Sequence, residues 1–459
     1  VMGIKGEPGT PEYPSRGLVW SSITKLIDQP GCGDAFTSVV DLSRKGLAKH
    51  PWSLGGGGAS DLKRQIESDR SPLSSKVTDI GFGCIISEEE VFYCEGPQRT
   101  LSNGLIRQLV IGDAVRDYSI KEHYPIAFPY DEHIDLIQEA KIHNLLWAWR
   151  TTLLGRQDFG KQTYREVGRP YWEYHQIPVD RNRKPLTITF GEVATHNHFV
   201  LDRGGKVFKQ TAPVIKLPAG ATVNDHLALL GLFNSSTACF WFKQSCHNKG
   251  ATVDDKGARQ RTDPFEDFYQ LNGTRVAQFP LAEPYPIDLA TAIDGLAREL
   301  TDTLPKAVLF HNAPIRQGLD SAKARALSIR HRMIALQEEL DWHCYRLYDL
   351  LEEDVEHPDP PEVDLGERAF EIVMARKMAD GELKTTWFTR HGSTPITEIP
   401  THWPADYRAL VERRIALIED HRWINLVERP EYKRRWQWDD QGFDAGWDKR
   451  KKAALKEWL

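Results

Sequence analysis

A seam of apolar residues between residues 316 and 351 constrains the fold of this sequence more than any other feature. Successive members are separated by three or four residues, which places them along one side of a single long helix. A second amphipathic stretch at residues 280–304 supplies a partner, so an antiparallel helical hairpin is the predicted setting, and a coiled-coil dimer is the alternative use of the same pattern. The seam consists of Leu319, Ala322, Ala326, Ile329, Met333, Leu336 and Leu340.

Two other regions, residues 77–120 and 165–217, have the alternating, glycine-punctuated pattern of short strands. Within the second region, Gly204-Gly205 separates two such runs and predicts a β-hairpin. Residues 142–157 and 225–244 have apolar positions at helical spacing, and each stretch is predicted to be one helix. The predicted fold class is therefore α+β, in which a mixed β region precedes a coiled-coil-like helical spacer and a helical C-terminal domain.

The composition excludes several classes of protein. The 459 residues are enough for about two to four domains, and 14 Trp, 14 Tyr and 18 Phe supply a core that a disordered chain lacks. There is no run of 18 apolar residues and no secretory signal segment, so we expect a cytoplasmic protein with no membrane partner. The six cysteines have no paired spacing and are expected to be free thiols in a reducing compartment.

The charge is unevenly distributed along the chain. The formal net charge is −6, yet residues 141–216 contain 13 basic and six acidic residues, a local net charge of +7. Tryptophan and tyrosine residues are interleaved with these cations. Basic residues bind phosphates, and Arg, Asn, Gln and His read base edges, so this pattern is typical of a nucleic-acid-binding surface. A solvated charged face on a β domain is the alternative interpretation.

The sequence lacks the motifs that enzymes acting on DNA require. In enzymes that act on a flipped adenine, the loop that binds the base has two prolines followed by an aromatic residue. In this sequence the Pro-Pro within residues 359–362 is followed by glutamate instead. Pro358-Asp359 and residues 382–384 fit the PD…(D/E)xK motif of metal-dependent nucleases only loosely. That motif needs its carboxylates on adjacent strands, whereas the stretch between these residues is predicted to be helical. No P-loop, dinucleotide fingerprint or nucleophile elbow is present. We therefore predict no catalytic residue in this chain.

Metal binding is not favoured by the spacing of histidines and cysteines. His196 and His198 would point the same way on a strand, but no third ligand is adjacent. Cys239, Cys246 and His247 are too widely spaced for a zinc site. We predict no metal site, and we interpret the residues around His196 as a structural or base-reading polar cluster.

Four sequence runs carry a resemblance to a known family: GRPYWEYHQI, LTITFGEVATHNHFVLDRGGKVFKQTAPVIKL, LALLGLFNSSTACFWFKQSCHNKG and FYQLNGTRVAQFPL, all between residues 165 and 281. They resemble the TaqI-like specificity region of adenine-specific DNA methyltransferases, in particular the PglX-type enzymes of bacterial phage-exclusion (BREX) systems. HPWSLGGGG, ELDWHCYRLYDL and RPEYKRRW resemble the same family. Such enzymes are similar to type IIG restriction–modification enzymes.

The resemblance implies a C-terminal, target-recognition portion of a larger methyltransferase. The S-adenosylmethionine-binding and NPPY-like motifs of the family are absent, so no cofactor is expected in this chain and the catalytic domain is expected outside it. The implied domains are a segment at 1–140 that continues from an upstream methyltransferase domain, a target-recognition domain at 141–290, a helical spacer at 291–351, an acidic linker at 352–367 and a helical C-terminal domain at 368–459.

The implied partners are double-stranded DNA, the upstream or a separate methyltransferase domain, and other defence-system proteins. The alternatives are a protein-interaction scaffold without DNA affinity and an independent enzyme such as a nuclease. The family's LLGLLNSS element matches residues 229–236 and is interpreted as scaffold, in which Asn234 and the serine pair satisfy backbone groups at a helix end. The predicted DNA-binding residues are Arg181, Arg183, Lys184, His196, Asn197, His198, Arg203, Lys206 and Lys209.

Overall fold

The computed structural model describes residues 2–4, 13–34, 37–42, 44, 52, 57–94, 103–121, 123–250, 263–311, 313–436 and 442–459. Its helices are longer and more numerous than its strands, so the predicted α+β class is confirmed. The α-helices are α1 (Leu18–Leu26), α2 (Ala59–Glu67), α3 (Ala140–Leu146), α4 (Arg150–Leu154), α5 (Tyr164–Val167), α6 (Val179–Arg183), α7 (Val223–Phe233), α8 (Ser236–Ser245), α9 (Gly273–Val276), α10 (Ile287–Thr303), α11 (Pro305–His311), α12 (Arg316–Leu347), α13 (Ala369–Ala379), α14 (Trp387–His391), α15 (Ala405–Asp420), α16 (Ile424–Val427) and α17 (Phe443–Trp458).

The strands are short and are distributed among several small sheets. The strands are β1 (Met2–Ile4), β2 (Thr37–Val39), β3 (Asp79–Gly81), β4 (Ile106–Val110), β5 (Val115–Arg116), β6 (Ser119–Ile120), β7 (Tyr124–Ala127), β8 (Thr187–Phe190), β9 (Val193–Ala194), β10 (Phe199–Asp202), β11 (Lys206–Phe208), β12 (Val214–Lys216), β13 (His247–Gly250) and β14 (Phe268–Gln270). A four-stranded antiparallel sheet has the order β10-β8-β12-β3, and two three-stranded sheets have the orders β11-β4-β7 and β13-β14-β9.

The predicted hairpin at Gly204-Gly205 is wrong, although both glycines do form a turn with positive φ angles of 114° and 85°. The strand before the turn, β10, pairs with β8, whereas the strand after it, β11, pairs in parallel with β4 in another sheet. The Asp202 carboxylate accepts a hydrogen bond from the Gly204 amide at 3.0 Å, which shapes the turn. The turn therefore connects two sheets instead of two paired strands.

The helical stretch at 225–244 is divided into α7 and α8 at Asn234 and Ser235. The Ser235 hydroxyl accepts from the Ala238 amide at 3.1 Å and caps α8. The Asn234 side chain accepts from the Phe199 amide at 3.0 Å and donates to the Phe199 carbonyl at 2.9 Å, as a strand neighbour would. The single helix predicted over residues 225–244 is therefore wrong. Asn234 and Ser235 satisfy backbone groups at this break as predicted, whereas the Ser236 hydroxyl donates to the Asp341 carboxylate at 2.7 Å.

The apolar seam lies on α12, and its partners are in the same chain. Ala322 is half-buried and the other members are buried, and α12 packs along α10. The seam is therefore not exposed for a coiled-coil dimer. Beyond the seam, every residue from Met333 to Trp342 is buried, including the charged side chains of Glu338, Glu339 and Asp341.

Two hydrophobic clusters make up most of the core. The larger one takes side chains from α2, α7, α8, α10, α12, α13 and α15, and it extends across the predicted domain limits at 290, 351 and 367. The smaller one is built from β4, β7, α3 and α4. The acidic segment 352–367 packs against the larger cluster through Val355 and Val363, which are both 1% exposed. The domain limits themselves stay a prediction.

Candidate nucleic-acid interface

A concave surface of about 200 Å³ forms where α6 meets the turn at residues 202–206, and we call it the basic cleft. Six cations and three carboxylates line it, so its charge is positive. Four of the cations are predicted DNA-binding residues, which the fold brings together from two separate parts of the chain. The cations are Arg107, Arg181, Arg183, Lys184, Lys206 and Lys216, and the carboxylates are Asp131, Glu132 and Asp202.

Arg181 holds α6 against β3. Its Nε and Nη2 atoms donate to the Asp79 carboxylate at 2.6 and 2.9 Å, and its Nη1 donates to the Phe82 carbonyl at 3.0 Å. The guanidinium lies over Gly81, where an added Cβ would stand 2.5 Å from Nη1. The hydrogen bonds from Arg181 lower the pKa of Asp79, so the pair is ionised at neutral pH. Arg181 therefore serves mainly as an anchor in this structure.

Arg183 and Lys184 are bound by neutral oxygen atoms. The Arg183 Nε donates to the His133 carbonyl at 2.9 Å, and the Lys184 Nζ donates to the Leu217 carbonyl at 3.0 Å. Neither cation forms an ion pair within 4 Å with a carboxylate of the described residues, although Asp131 lies near enough to Arg183, and Asp79 to Lys184, to interact with it electrostatically. Their charges are therefore available to a phosphate at the cleft.

Three other predicted residues are engaged in ion pairs. Lys206 is paired with the buried Asp202, and Lys209 is paired with Glu89, each at 2.5 Å. The Arg203 Nη2 lies 2.6 Å from the Asp294 carboxylate of α10. All three cations keep part of their surface exposed, but a phosphate would have to compete with a carboxylate for each.

The tripeptide His196-Asn197-His198 lies in the interior, and the three side chains are 2%, 6% and 4% exposed. The Asn197 amide donates to the Phe233 and Ser235 carbonyls at 2.6 and 2.9 Å. Burial lowers the pKa of both histidines well below the ordinary value, so they are neutral at physiological pH. We remove these three residues from the DNA-binding set, because their polar atoms serve the core and do not reach the surface.

The tripeptide contacts a strap formed by residues 429–436, the RPEYKRRW run, of which residues 433–436 are buried. Arg434 donates from Nη2 to the Asn234 side-chain oxygen at 2.7 Å, and its Nη1 lies 2.8 Å from the His198 Nδ1. Lys433 is fully buried between the carboxylates of Glu338, Asp341 and Glu428. These basic residues therefore neutralise the charged side of α12 and are not a surface cluster.

Two of the six cations of the basic cleft are missing from the predicted set. Arg107 reaches the cleft because β4 pairs in parallel with β11, and no local pattern in the sequence indicates this pairing. Lys216 lies on the cleft floor, where its Nζ donates to the Lys184 carbonyl at 2.7 Å. Burial lowers the pKa of Lys216 to about 8.

Metal ligation and membrane insertion have no support in the part of the chain that the structure describes. No group of three or more His, Cys, Asp or Glu side chains there has the arrangement of a metal site. Cys239 and Cys246 are buried free thiols, whereas His247 is exposed. No helix in the described ranges has the length and apolar character needed to cross a membrane.

The sequence of this chain is similar to that of an adenine-specific methyltransferase. Over its whole length the chain is 45% identical to the adenine-specific methyltransferase PglX of Streptomyces coelicolor, across an alignment of 473 residues. The resemblance to the C-terminal portion of a PglX-type enzyme is thereby confirmed. The chain spans 39% of the length of that relative.

Two further comparisons describe parts of the chain. Residues 333–459, which include the strap and the second half of α12, match a family described as a domain of unknown function (DUF7008). Among solved structures, the type IIL restriction–modification enzyme MmeI in complex with DNA is similar with a TM-score of 0.35 and 14% sequence identity. That likeness covers 61% of this chain and 33% of the MmeI chain.

Proposed function

We propose that this chain recognises double-stranded DNA in a sequence-specific manner for an adenine-specific (N6) DNA methyltransferase of bacterial phage defence. The observation that carries the proposal is the basic cleft, in which Arg183 and Lys184 are held by backbone carbonyls and form no ion pair within 4 Å with a described carboxylate. Similarity over the whole chain to PglX supports the link to adenine methylation. In this proposal the S-adenosylmethionine-dependent step takes place on a methyltransferase domain outside the 459 residues.

The geometry of Arg183 suits the reading of a base. Its Nε is held by the His133 carbonyl, and this hydrogen bond fixes the plane of the guanidinium. Two Nη groups fixed in this way form the fork that binds the O6 and N7 atoms of guanine. Lys184, one residue further along the chain, supplies a point charge for an adjacent phosphate. The paired cations Arg203, Lys206 and Lys209 are proposed to contribute less.

The alternative function, a protein-interaction scaffold without DNA affinity, depends mainly on the apolar seam of α12. The seam is covered by α10 in this structure. We therefore keep DNA recognition as the proposed function, and we propose the methyltransferase domain and other defence-system proteins as its protein partners.

The test is a titration of the purified chain against a mixed-sequence duplex by fluorescence anisotropy at 50 and 200 mM salt. Each phosphate that the protein neutralises contributes about −0.9 to the slope of log K against log salt. We expect Arg183→Gln with Lys184→Gln to reduce the slope by about one to two units. Arg408→Gln, at an exposed position of α15, is the control and should leave the slope unchanged.

Two results would refute the proposal. Absence of duplex binding by the wild-type chain at 50 mM salt would remove the basis for DNA recognition by these residues. Equal slopes for the wild type and the double variant would show that the basic cleft is not the binding surface.

A further inference from the structure

An exposed aromatic segment begins in the turn after α3 and continues into the first residues of α4, outside the basic cleft. Trp147 and Trp149 are 63% and 50% exposed, and every residue from Trp147 to Thr152 is exposed. We call residues 147–152 the tryptophan segment. Large aromatic side chains dominate binding energetics when they are buried, so two indoles held in water mark a surface that a partner covers.

The backbone accounts for the outward position of both indoles. Ile142 and Leu146 of α3 and Leu153 of α4 are fully buried in the smaller hydrophobic cluster, and they fix the inner face of this stretch. Between the two helices the chain tightens into a 3₁₀ turn at Trp147–Trp149, which changes the angular register of the side chains. Both tryptophans therefore lie away from the core.

Contacts within the chain hold Trp147 in place. The Arg150 guanidinium lies 5.2 Å from the centroid of the Trp147 ring, a cation–π distance. The ring of Tyr171 meets Trp147 edge to face, with centroids 6.4 Å apart. An indole that is oriented before binding loses less conformational entropy when a partner covers it.

The charge around the tryptophan segment is positive and is not neutralised. Residues 140–157 contain no Asp or Glu. Within the described ranges, none of the four exposed cations of this region forms an ion pair, unlike Arg181, Arg203, Lys206 and Lys209. The four exposed cations are Lys141, Arg150, Lys161 and Arg165.

Glu139 and Asp158 flank this stretch of the sequence, and Glu166 and Glu173 follow. Asp158 accepts from the Gln162 amide at 3.1 Å, and Glu166 accepts from the Thr163 amide at 2.7 Å in a capping box. Glu173 is paired with Arg169 at 3.0 Å. Residues 140–157 carry three basic side chains and no acidic one, and this excess of positive charge favours a polyanion.

We propose that the tryptophan segment is a second DNA-contacting element, which places Trp147 and Trp149 against the bases of a duplex while the neighbouring cations bind the flanking phosphates. This inference rests on the proposed function and extends it to a surface outside the basic cleft. Stacking on the π-face of a base is available at any sequence, so the segment contributes affinity and local unstacking of the duplex more than base identity.

Duplex DNA fits this surface better than a protein partner does. Aromatic rings interleaved with unpaired cations complement alternating bases and phosphates. A protein partner would need both an apolar pocket for two indoles and carboxylates for the four cations. Docking of another part of a PglX-type enzyme is accordingly an outcome that the test must separate from DNA binding.

The test compares the wild-type chain with Trp147→Ala/Trp149→Ala by anisotropy on a mixed-sequence duplex. Each stacked ring that is removed should weaken binding by about 5- to 100-fold, with the salt slope unchanged because no phosphate contact is lost. Arg150→Gln should instead reduce the slope by about 0.9. The rescue variant Trp147→Phe/Trp149→Phe keeps π-faces and should recover most of the affinity.

The matched control is Trp20→Ala, because Trp20 of α1 is 52% exposed and lies far from these residues in the sequence. Circular dichroism and thermal melting should show that all variants fold, since the substituted side chains are exposed. A second readout is 2-aminopurine placed in the duplex, whose fluorescence should rise on binding of the wild type and not of the alanine variant.

The outcomes separate this inference from the proposed function. If the wild type and the alanine variant bind the duplex with equal affinity, the inference is overturned and the basic cleft is left as the DNA surface. Equal affinity, combined with loss of association between the alanine variant and the remaining part of a PglX-type enzyme, assigns the segment to protein docking. Failure of the wild type to bind a duplex overturns both, and an equal loss in Trp20→Ala also contradicts the inference.

Discussion

Lys433 offers the sharpest test of how the strap stabilises this fold. Its Nζ lies 2.8 Å from Glu428, 2.9 Å from Asp341 and 3.2 Å from Glu338, and its side chain is fully buried. Lys433→Met keeps the length of the aliphatic chain and removes the charge. The substitution therefore leaves three buried carboxylates without their shared cation.

The magnitude follows from the burial of the cluster. Removing one partner from a buried ion pair costs about 3–5 kcal/mol, because the remaining charge is desolvated and uncompensated. In the described structure, one carboxylate oxygen of Glu338 and one of Glu428 already lack a hydrogen-bond partner. The cluster therefore has no spare donor that could replace Lys433. We expect Lys433→Met to lower the free energy of unfolding by about 3–5 kcal/mol at pH 8, and by less at pH 5.5, where Glu338, whose pKa burial raises to about 7, binds a proton.

The assay is urea denaturation followed by circular dichroism at both pH values. The matched control is Lys451→Met, because Lys451 pairs with Asp448 at 2.8 Å on the surface of α17 and exposed pairs contribute little. The control should change the free energy of unfolding by less than about 0.5 kcal/mol. A loss below about 1 kcal/mol for Lys433→Met, or an equal loss at both pH values, would refute the reasoning.

Two further predictions concern the same buried network. Burial raises the pKa of Glu338 from 4.5 to about 7, so the folded state binds the proton more tightly and stability is lost as pH rises from about 4.5 to about 7. Thermal melts should therefore show that the stability of Glu338→Gln, measured relative to the wild type, is greater at pH 8 than at pH 5. The opposite trend would contradict the raised pKa of Glu338. Asn197→Ala removes the donors to the Phe233 and Ser235 carbonyls and should cost about 1–3 kcal/mol in urea denaturation. Because Asn197 is buried, the Asn197→Ala variant should bind the duplex with the same slope of log K against log salt as the wild type. A reduced slope would return Asn197 to the predicted DNA surface.

Local patterns in the sequence determined much of the secondary structure. The apolar spacing predicts α12 and its partner α10, and the residues around Asn234 were correctly assigned to a helix end. These features depend on side chains within a few positions of one another, which is the range over which periodicity and capping act. The long, specific runs near residues 165–281 were also enough to indicate the PglX-type relative.

Only the tertiary structure decided which basic residues face solvent and which are neutralised. The sequence places Arg181 and Arg183 two positions apart, yet Arg181 is neutralised by Asp79 and Arg183 is held by a neutral carbonyl. The polar tripeptide at 196–198 is buried because Arg434, more than 200 residues further along the chain, binds it. The partners of a charge are set by contacts between distant segments, and no local pattern encodes those contacts, so the +7 region could be located from the sequence but its exposed cations could not.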